Sequence, residues 1–133
     1  ALLQKFPTMW RLAVKNFDKS LAEGVMLLTP FAADATDEKT ANFVKKYQDK
    51  YDETPNQFAA DAYDAVYAIK AAIEESGATP DMSVSDMGDA LKKAMPKIKI
   101  DGLTGSGMTW LESGEVNKDP KAVVIQNGEY VGM

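Results

Sequence analysis

Between Phe58 and Ile73 apolar residues return at every third or fourth position, at Phe58, Ala62, Ala65, Val66, Ile69, Ala72 and Ile73, until Gly77 stops the pattern. This spacing predicts an amphipathic helix, with a glycine at its natural C-terminal end. Upstream, Gly24-Val25-Met26-Leu27-Leu28-Thr29-Pro30 is a continuous apolar run closed by proline. It predicts a parallel strand covered on both faces. Between the two, Asp34 to Asp37 supply helix-start residues, and Asp37 and Glu38 suit the positive end of a helix dipole. Ala41, Val44, Tyr47 and Tyr51 share a stripe there, so another helix runs to Asp52-Glu53-Thr54-Pro55. The residue before proline resists helical geometry.

Ser83 and Asp86 stand at capping-box spacing ahead of a third helix. Its stripe is Met87, Leu91, Ala94 and Met95, and Pro96 ends it. Beyond it, Ile98, Ile100, Leu103, Met108 and Trp110, then Val123-Val124-Ile125 and Tyr130-Val131, cluster or alternate at strand spacing. Turns fall at Ser113-Gly114 and Asn127-Gly128, the second a hairpin signal. Near the start, Trp10, Leu12 and Val14 alternate as in a strand, yet Met9, Leu12 and Ala13 suit a helical turn, and both readings stand. The order strand, helix, helix, helix, strands points to α/β or α+β architecture.

The 133 residues, 45% apolar and 26% charged, are ordinary for a globular chain with one core. The net charge of −5 argues against nucleic acid or an anionic membrane as the main partner. The basic pairs Lys45-Lys46, Lys92-Lys93 and Lys97/Lys99 lie among acidic neighbours and read as solvated helix faces. His and Cys are both absent. Their absence removes catalytic triads, thiol nucleophiles and His- or Cys-ligated zinc together. Composition therefore leans toward binding. Ala1-Leu2-Leu3-Gln4-Lys5-Phe6-Pro7 has neither a charged start nor a sustained apolar stretch, so it does not read as an export signal. A first residue other than Met favours processing or excision.

Three features invite chemistry. Gly102-Leu103-Thr104-Gly105-Ser106-Gly107 looks like a phosphate loop, but such a loop needs a following helix and usually a Lys. The strand-like Met108-Thr109-Trp110-Leu111 follows instead, so a glycine-permitted turn into a strand is expected. Asp61 and Asp64, three apart on the long helix, have carboxylate spacing but no calcium-loop context, and read as a solvated or capping-type face. No metal site is expected. The aromatics Phe43, Tyr47, Tyr51, Phe58, Tyr63 and Tyr67 read mostly as core. Phe58 stands at a helix start, where open α/β sheets place ligands, although periodicity alone assigns it to the core.

Four blocks in order resemble one family. They are Ala22-Glu23-Gly24 through Phe31; Phe43-Val44-Lys45-Lys46-Tyr47 with Pro55-Asn56-Gln57-Phe58 through Val66; Ile100 through Gly105 with Met108 through Glu115; and Ala122 through Gly128. Together, over about residues 20–131, they resemble the C-terminal part of type I solute-binding receptors of branched-chain amino-acid ABC importers. The resemblance implies an α/β, Rossmann-like, two-lobed periplasmic-binding-protein fold, with this segment contributing to both lobes. It implies an extracytoplasmic receptor, periplasmic or anchored at the cell surface, that closes around a small amino acid or related solute and docks on a membrane permease. No cofactor and no catalysis are implied. Phe58 would line the cleft, with Asp61 and Tyr63 as weaker ligand-contact positions, and Thr29-Pro30-Phe31 would be the hinge between lobes.

Residues 1–19 do not resemble what normally precedes the first block, and the family's chains are much longer. The expectations are therefore a proteolytic remnant, a split or engineered receptor, or a receptor whose upstream part is unreadable. Alone, such a segment would leave strand edges and apolar helix faces exposed. The expected consequence is either self-association or a bound complementary segment. Other functional readings are a ligand-sensing regulatory domain of the same fold, a hydrolase using Asp61 and Asp64, and an oligomerising domain without a ligand.

Overall fold

The computed structural model describes residues 18–133. The stretch from Met9 to Val14, with its two readings, lies outside the described residues. So does most of the region 1–19. In chain order the elements are β1 (Met26–Thr29), α1 (Glu38–Tyr51), α2 (Gln57–Ser76), α3 (Val84–Ala94), β2 (Thr109–Trp110), β3 (Val116–Asn117), β4 (Lys121–Gln126) and β5 (Glu129–Gly132). Short 3-10 turns occupy Lys19–Ala22 and Met95–Lys97. The elements divide into two compact units. One holds the described residues up to Asn56 together with Pro120–Met133, and the other is Gln57–Asp119.

The first unit is built on an antiparallel sheet of order β1-β4-β5. Its hairpin turns at Asn127-Gly128, as the sequence predicts. Asn127 has φ 54° and Gly128 φ 76°, both left-handed, which matches a two-residue I′ turn. Val123 and Ile125 point to the buried face, while Met26, Leu28, Ala122 and Val124 stand on the other. The segment Gly24–Pro30 does contain a strand, but not the expected parallel one covered on both faces. Its partner is β4, running antiparallel, and it lies at an edge with Met26 65% and Leu28 77% exposed. An apolar run records a demand for cover; it does not record strand direction or which element meets the demand.

α1 starts where predicted, because Asp37 accepts the Thr40 N–H at 2.9 Å. It ends at Asp52, whose left-handed φ of 54° lets its N–H donate to the Gln48 carbonyl at 2.8 Å. Its aromatics form a ladder rather than a buried core. Phe31 meets Phe43 edge-on at 6.0 Å, Phe43 meets Tyr47 at 5.9 Å and Tyr47 meets Tyr51 at 4.6 Å, with Tyr51 exposed.

In the second unit α2 buries a stripe of small residues. Ala68 and Ala72 form a core with Ala94 of α3 and Ile98, flanked by Leu91, Met95, Ile100 and Trp110. Alanines four apart let the neighbouring elements approach the helix closely. This is not the stripe that the sequence singled out. Of that set only Ala72 is buried, and Val66, Ile69 and Phe58 are 66%, 53% and 49% exposed. α3 begins at Ser83, whose hydroxyl accepts the Asp86 N–H at 3.1 Å and donates to the Asp86 carboxylate at 2.7 Å. β2 and β3 pair through Thr109↔Asn117 and Trp110↔Val116 across a turn with Gly114 at φ 89°.

Candidate functional site

α2 places Asp61 and Asp64 three residues apart, and the loop from Ile100 to Met108 folds against the second of them. Ile100 and Met108 exchange backbone hydrogen bonds of 3.1 and 2.8 Å, and the Gly102 N–H donates to the Gly105 carbonyl at 2.8 Å. The turn presents the N–H groups of Leu103 and Thr104 and the Thr104 hydroxyl to Asp64, which accepts all three at 2.7, 2.8 and 2.7 Å. Asp64 is 6% exposed, so its charge is held by donors rather than by water. Gly102 must be glycine here, because a Cβ would run into the Asp64 carboxylate and the Met108 methyl. The glycine segment is thus the expected turn into a strand. Two of its N–H groups are occupied by an internal carboxylate.

Asp61 has a different environment. Lys118, half-buried just after β3, donates to Asp61 at 3.0 Å and to the Thr104 hydroxyl at 3.0 Å. Lys118 and Thr104 therefore link the two carboxylates into one chain of polar contacts. The sequence expectation of a solvated or capping face holds for neither in its solvated form: Asp64 caps a buried loop and Asp61 is ion-paired. Lys118 and Thr104 escaped sequence reading because they lie 57 and 40 residues from their partners, and no local spacing records such contacts.

Tyr63 donates to the Tyr67 hydroxyl at 3.4 Å, with ring centroids 4.8 Å apart. The bond to Tyr67, then burial, then the negative charge of Tyr67 and Asp64 push the Tyr63 phenol up to about 12. Phe58, the second residue of α2, is half-exposed. Helical spacing puts Phe58 and Asp61 on adjoining faces and turns Tyr63, two residues on, away from Asp61. Thr29-Pro30-Phe31 begins at the last residue of β1 and leads out of it within the first unit. There the Thr29 hydroxyl accepts the Phe31 N–H at 3.3 Å and donates to the Phe31 carbonyl at 3.1 Å, and Phe31 is buried. The chain passes between units at 56–57 and 119–120.

Among the described residues no group of three or more acidic side chains is placed to hold a metal ion. No helix among them is long and apolar enough to cross a membrane. A groove of about 420 Å³ beside the α2 C-terminus and α3 has both acidic and basic walls, including Glu75, Asp86, Asp89, Lys93 and Lys97.

Residues 4–129 match the family described as periplasmic binding protein. The chain belongs to that family. Its α/β succession is that of the type I periplasmic binding proteins. Among solved structures, one described as a branched-chain amino acid ABC transporter from Rhodospirillum rubrum is 27% identical, with a TM-score of 0.61 over 89% of this chain and 35% of that one. A leucine-binding protein from Thermotoga maritima is 22% identical, with a TM-score of 0.65 over 84% of this chain and 30% of that one. An ABC transporter solute-binding protein from R. palustris, in complex with benzoate, is 17% identical, with a TM-score of 0.66 over 84% and 29%. No curated protein matches the chain. The binding-protein chain spans about a third of the length of these solved relatives.

Proposed function

We propose that this chain is the C-terminal part of the solute-binding component of an ABC importer, working outside the cytoplasm. In this reading it binds a branched-chain or other small amino acid, or a related solute, by closure of two lobes, and delivers it to a membrane permease without chemical turnover. The observation that carries the proposal is the family match over residues 4–129. The 27% identity to a protein described as a branched-chain amino acid ABC transporter supports the solute class. A sequence without His or Cys is consistent with capture rather than catalysis.

Phe58 would form an aromatic wall of the ligand cleft, since it is half-exposed at the start of α2. Asp61 and Tyr63 are second-rank contact positions, both already engaged with neighbours, Lys118 and Tyr67. Thr29-Pro30-Phe31 would take up part of the closing rotation. The test is a thermal-shift titration of the complete encoded polypeptide with leucine, isoleucine, valine and benzoate. Ligand at about a hundred times Kd stabilises by about 2.7 kcal/mol, a shift of several degrees. At least one amino acid should produce it, and Phe58→Ala should abolish most of the shift without moving the unliganded Tm. No shift with any amino acid would refute the solute class.

A further inference from the structure

Lys118 reaches its partners along a constrained path. A Cβ placed on Gly105 would stand 3.0 Å from the Lys118 Cβ and 2.8 Å from the Met108 Cγ, so the lysine stem passes here because position 105 has no side chain. An ammonium carries three donors. One of them goes to Asp61 at 3.0 Å and another to the Thr104 hydroxyl at 3.0 Å. Thr104 is buried, and its hydroxyl is held in turn on the buried Asp64 at 2.7 Å. One end of this chain of contacts is thus fixed inside the unit. The other end, Asp61, is half-buried near the beginning of α2.

The start of a helix is its least secure turn, because its first N–H groups have no acceptor within the helix. Phe58 belongs to that turn, half-exposed and outside the alanine-lined core of the unit. Where its ring lies therefore depends on how firmly the beginning of α2 is fixed. Asp61 follows Phe58 by three residues, on the adjoining face one turn further in. The bond from Lys118 supplies a fixed point at that place, and it comes from a residue 57 positions away in the chain.

We propose that Lys118 is a positioning residue for solute selection: laid across Gly105 and anchored on Thr104, it fixes Asp61 and the first turn of α2, and so sets where the Phe58 ring meets the side chain of the solute. The inference deepens the reading of Phe58 as a wall of the ligand cleft and rests on it. Lys118 itself does not touch the solute. An ion pair with a purely structural role would change stability alone. A pair that places an aromatic wall also changes discrimination, since a small shift of the wall alters the room for a single methylene.

The test is calorimetric titration of the complete encoded polypeptide with leucine, isoleucine and valine. Lys118→Met keeps the stem and removes the donors, Lys118→Arg restores donors, and Gly105→Ala pushes the stem aside. Lys118→Met and Gly105→Ala should each weaken binding of the preferred amino acid by about tenfold and change the ratio of the leucine and valine Kd values. Lys118→Arg should recover most of both. In a Phe58→Leu background Lys118→Met should change Kd by less than about twofold, because the ring through which it acts is gone. Equal losses in the two backgrounds would make Lys118 a direct contact and overturn the positioning role. A lowered unliganded Tm with every Kd unchanged would overturn it as well. If Gly105→Ala does not fold, Lys118→Met decides alone. Failure of the unmutated polypeptide to bind any of the three amino acids would refute the solute class, and this inference with it; binding by the parent confines any failure to Lys118.

Discussion

The Asp64 carboxylate oxygen Oδ2 holds Thr104 twice, accepting its N–H at 2.8 Å and its hydroxyl at 2.7 Å. With the Leu103 N–H on Oδ1 at 2.7 Å, three donors of one loop converge on one buried charge. Hydrogen bonds to a charged group contribute about 1.5–3 kcal/mol each, and a buried donor left unmet costs about 1–3 kcal/mol. Asp64→Ala should therefore destabilise the protein by about 3–5 kcal/mol in urea unfolding. Asp64→Asn keeps one acceptor oxygen and should lose about half as much. Gly102→Ala, whose Cβ meets the same carboxylate, should cost about 1–3 kcal/mol. Unchanged midpoints in all three would show that the loop is not held this way.

Asp37 caps α1 through the Thr40 N–H, and that bond holds its carboxyl below the ordinary 3.8 against the opposing effect of burial. A depressed folded pKa gives stability that is present above the ordinary value and lost as pH falls through the folded one. Asp37→Ala should cost about 1 kcal/mol at neutral pH, and the variant and parent should converge near pH 2. Denaturant melts at both pH values check this; a constant gap between the two proteins would count against it.

Tyr63 shows the opposite sign. Its phenol, raised to about 12 by donating to Tyr67, gives stability that is full below the ordinary value of 10 and is lost as pH rises through about 12. Ultraviolet titration should resolve one late-ionising phenol among the five tyrosines. Tyr67→Phe removes the acceptor and should bring that step earlier. A titration in which all five ionise together near 10 would contradict the hydrogen bond.

The Asp61–Lys118 pair spans 3.0 Å with side chains 37% and 24% exposed, so solvent screens part of its attraction. A double-mutant cycle with Asp61→Asn and Lys118→Met should return a coupling of about 0.5–1 kcal/mol. The coupling should shrink at high salt. A coupling of zero at low salt would reduce the pair to a surface coincidence.

Local signals were readable in advance wherever one short segment decides its own geometry. Asn127-Gly128 announced its turn because both residues tolerate positive φ, and Asp37 and Ser83 announced their helices because their side chains cap donors three residues away. Long-range choices were not readable. The periodicity of α2 revealed Val66 and Ile69 as a stripe, but alanines at 60, 68 and 72 form a second stripe with weaker hydropathy, and that one packs within the unit. The direction of β1 depends on β4, nearly a hundred residues on, so an apolar run alone could not give it. At the candidate site Phe58, Asp61 and Tyr63 were legible as positions on a helix, whereas the bonds from Lys118 and Thr104 that organise the helix start were not.

The turn from Gly102 to Gly107 brings its own anion. With Asp64 lodged against the peptide groups of Leu103 and Thr104, a free phosphate or nucleotide would have to evict a side chain anchored in α2 before it could use those donors. The glycines here make a rivet between a helix and a loop, and the resemblance to a nucleotide cradle ends at the spelling.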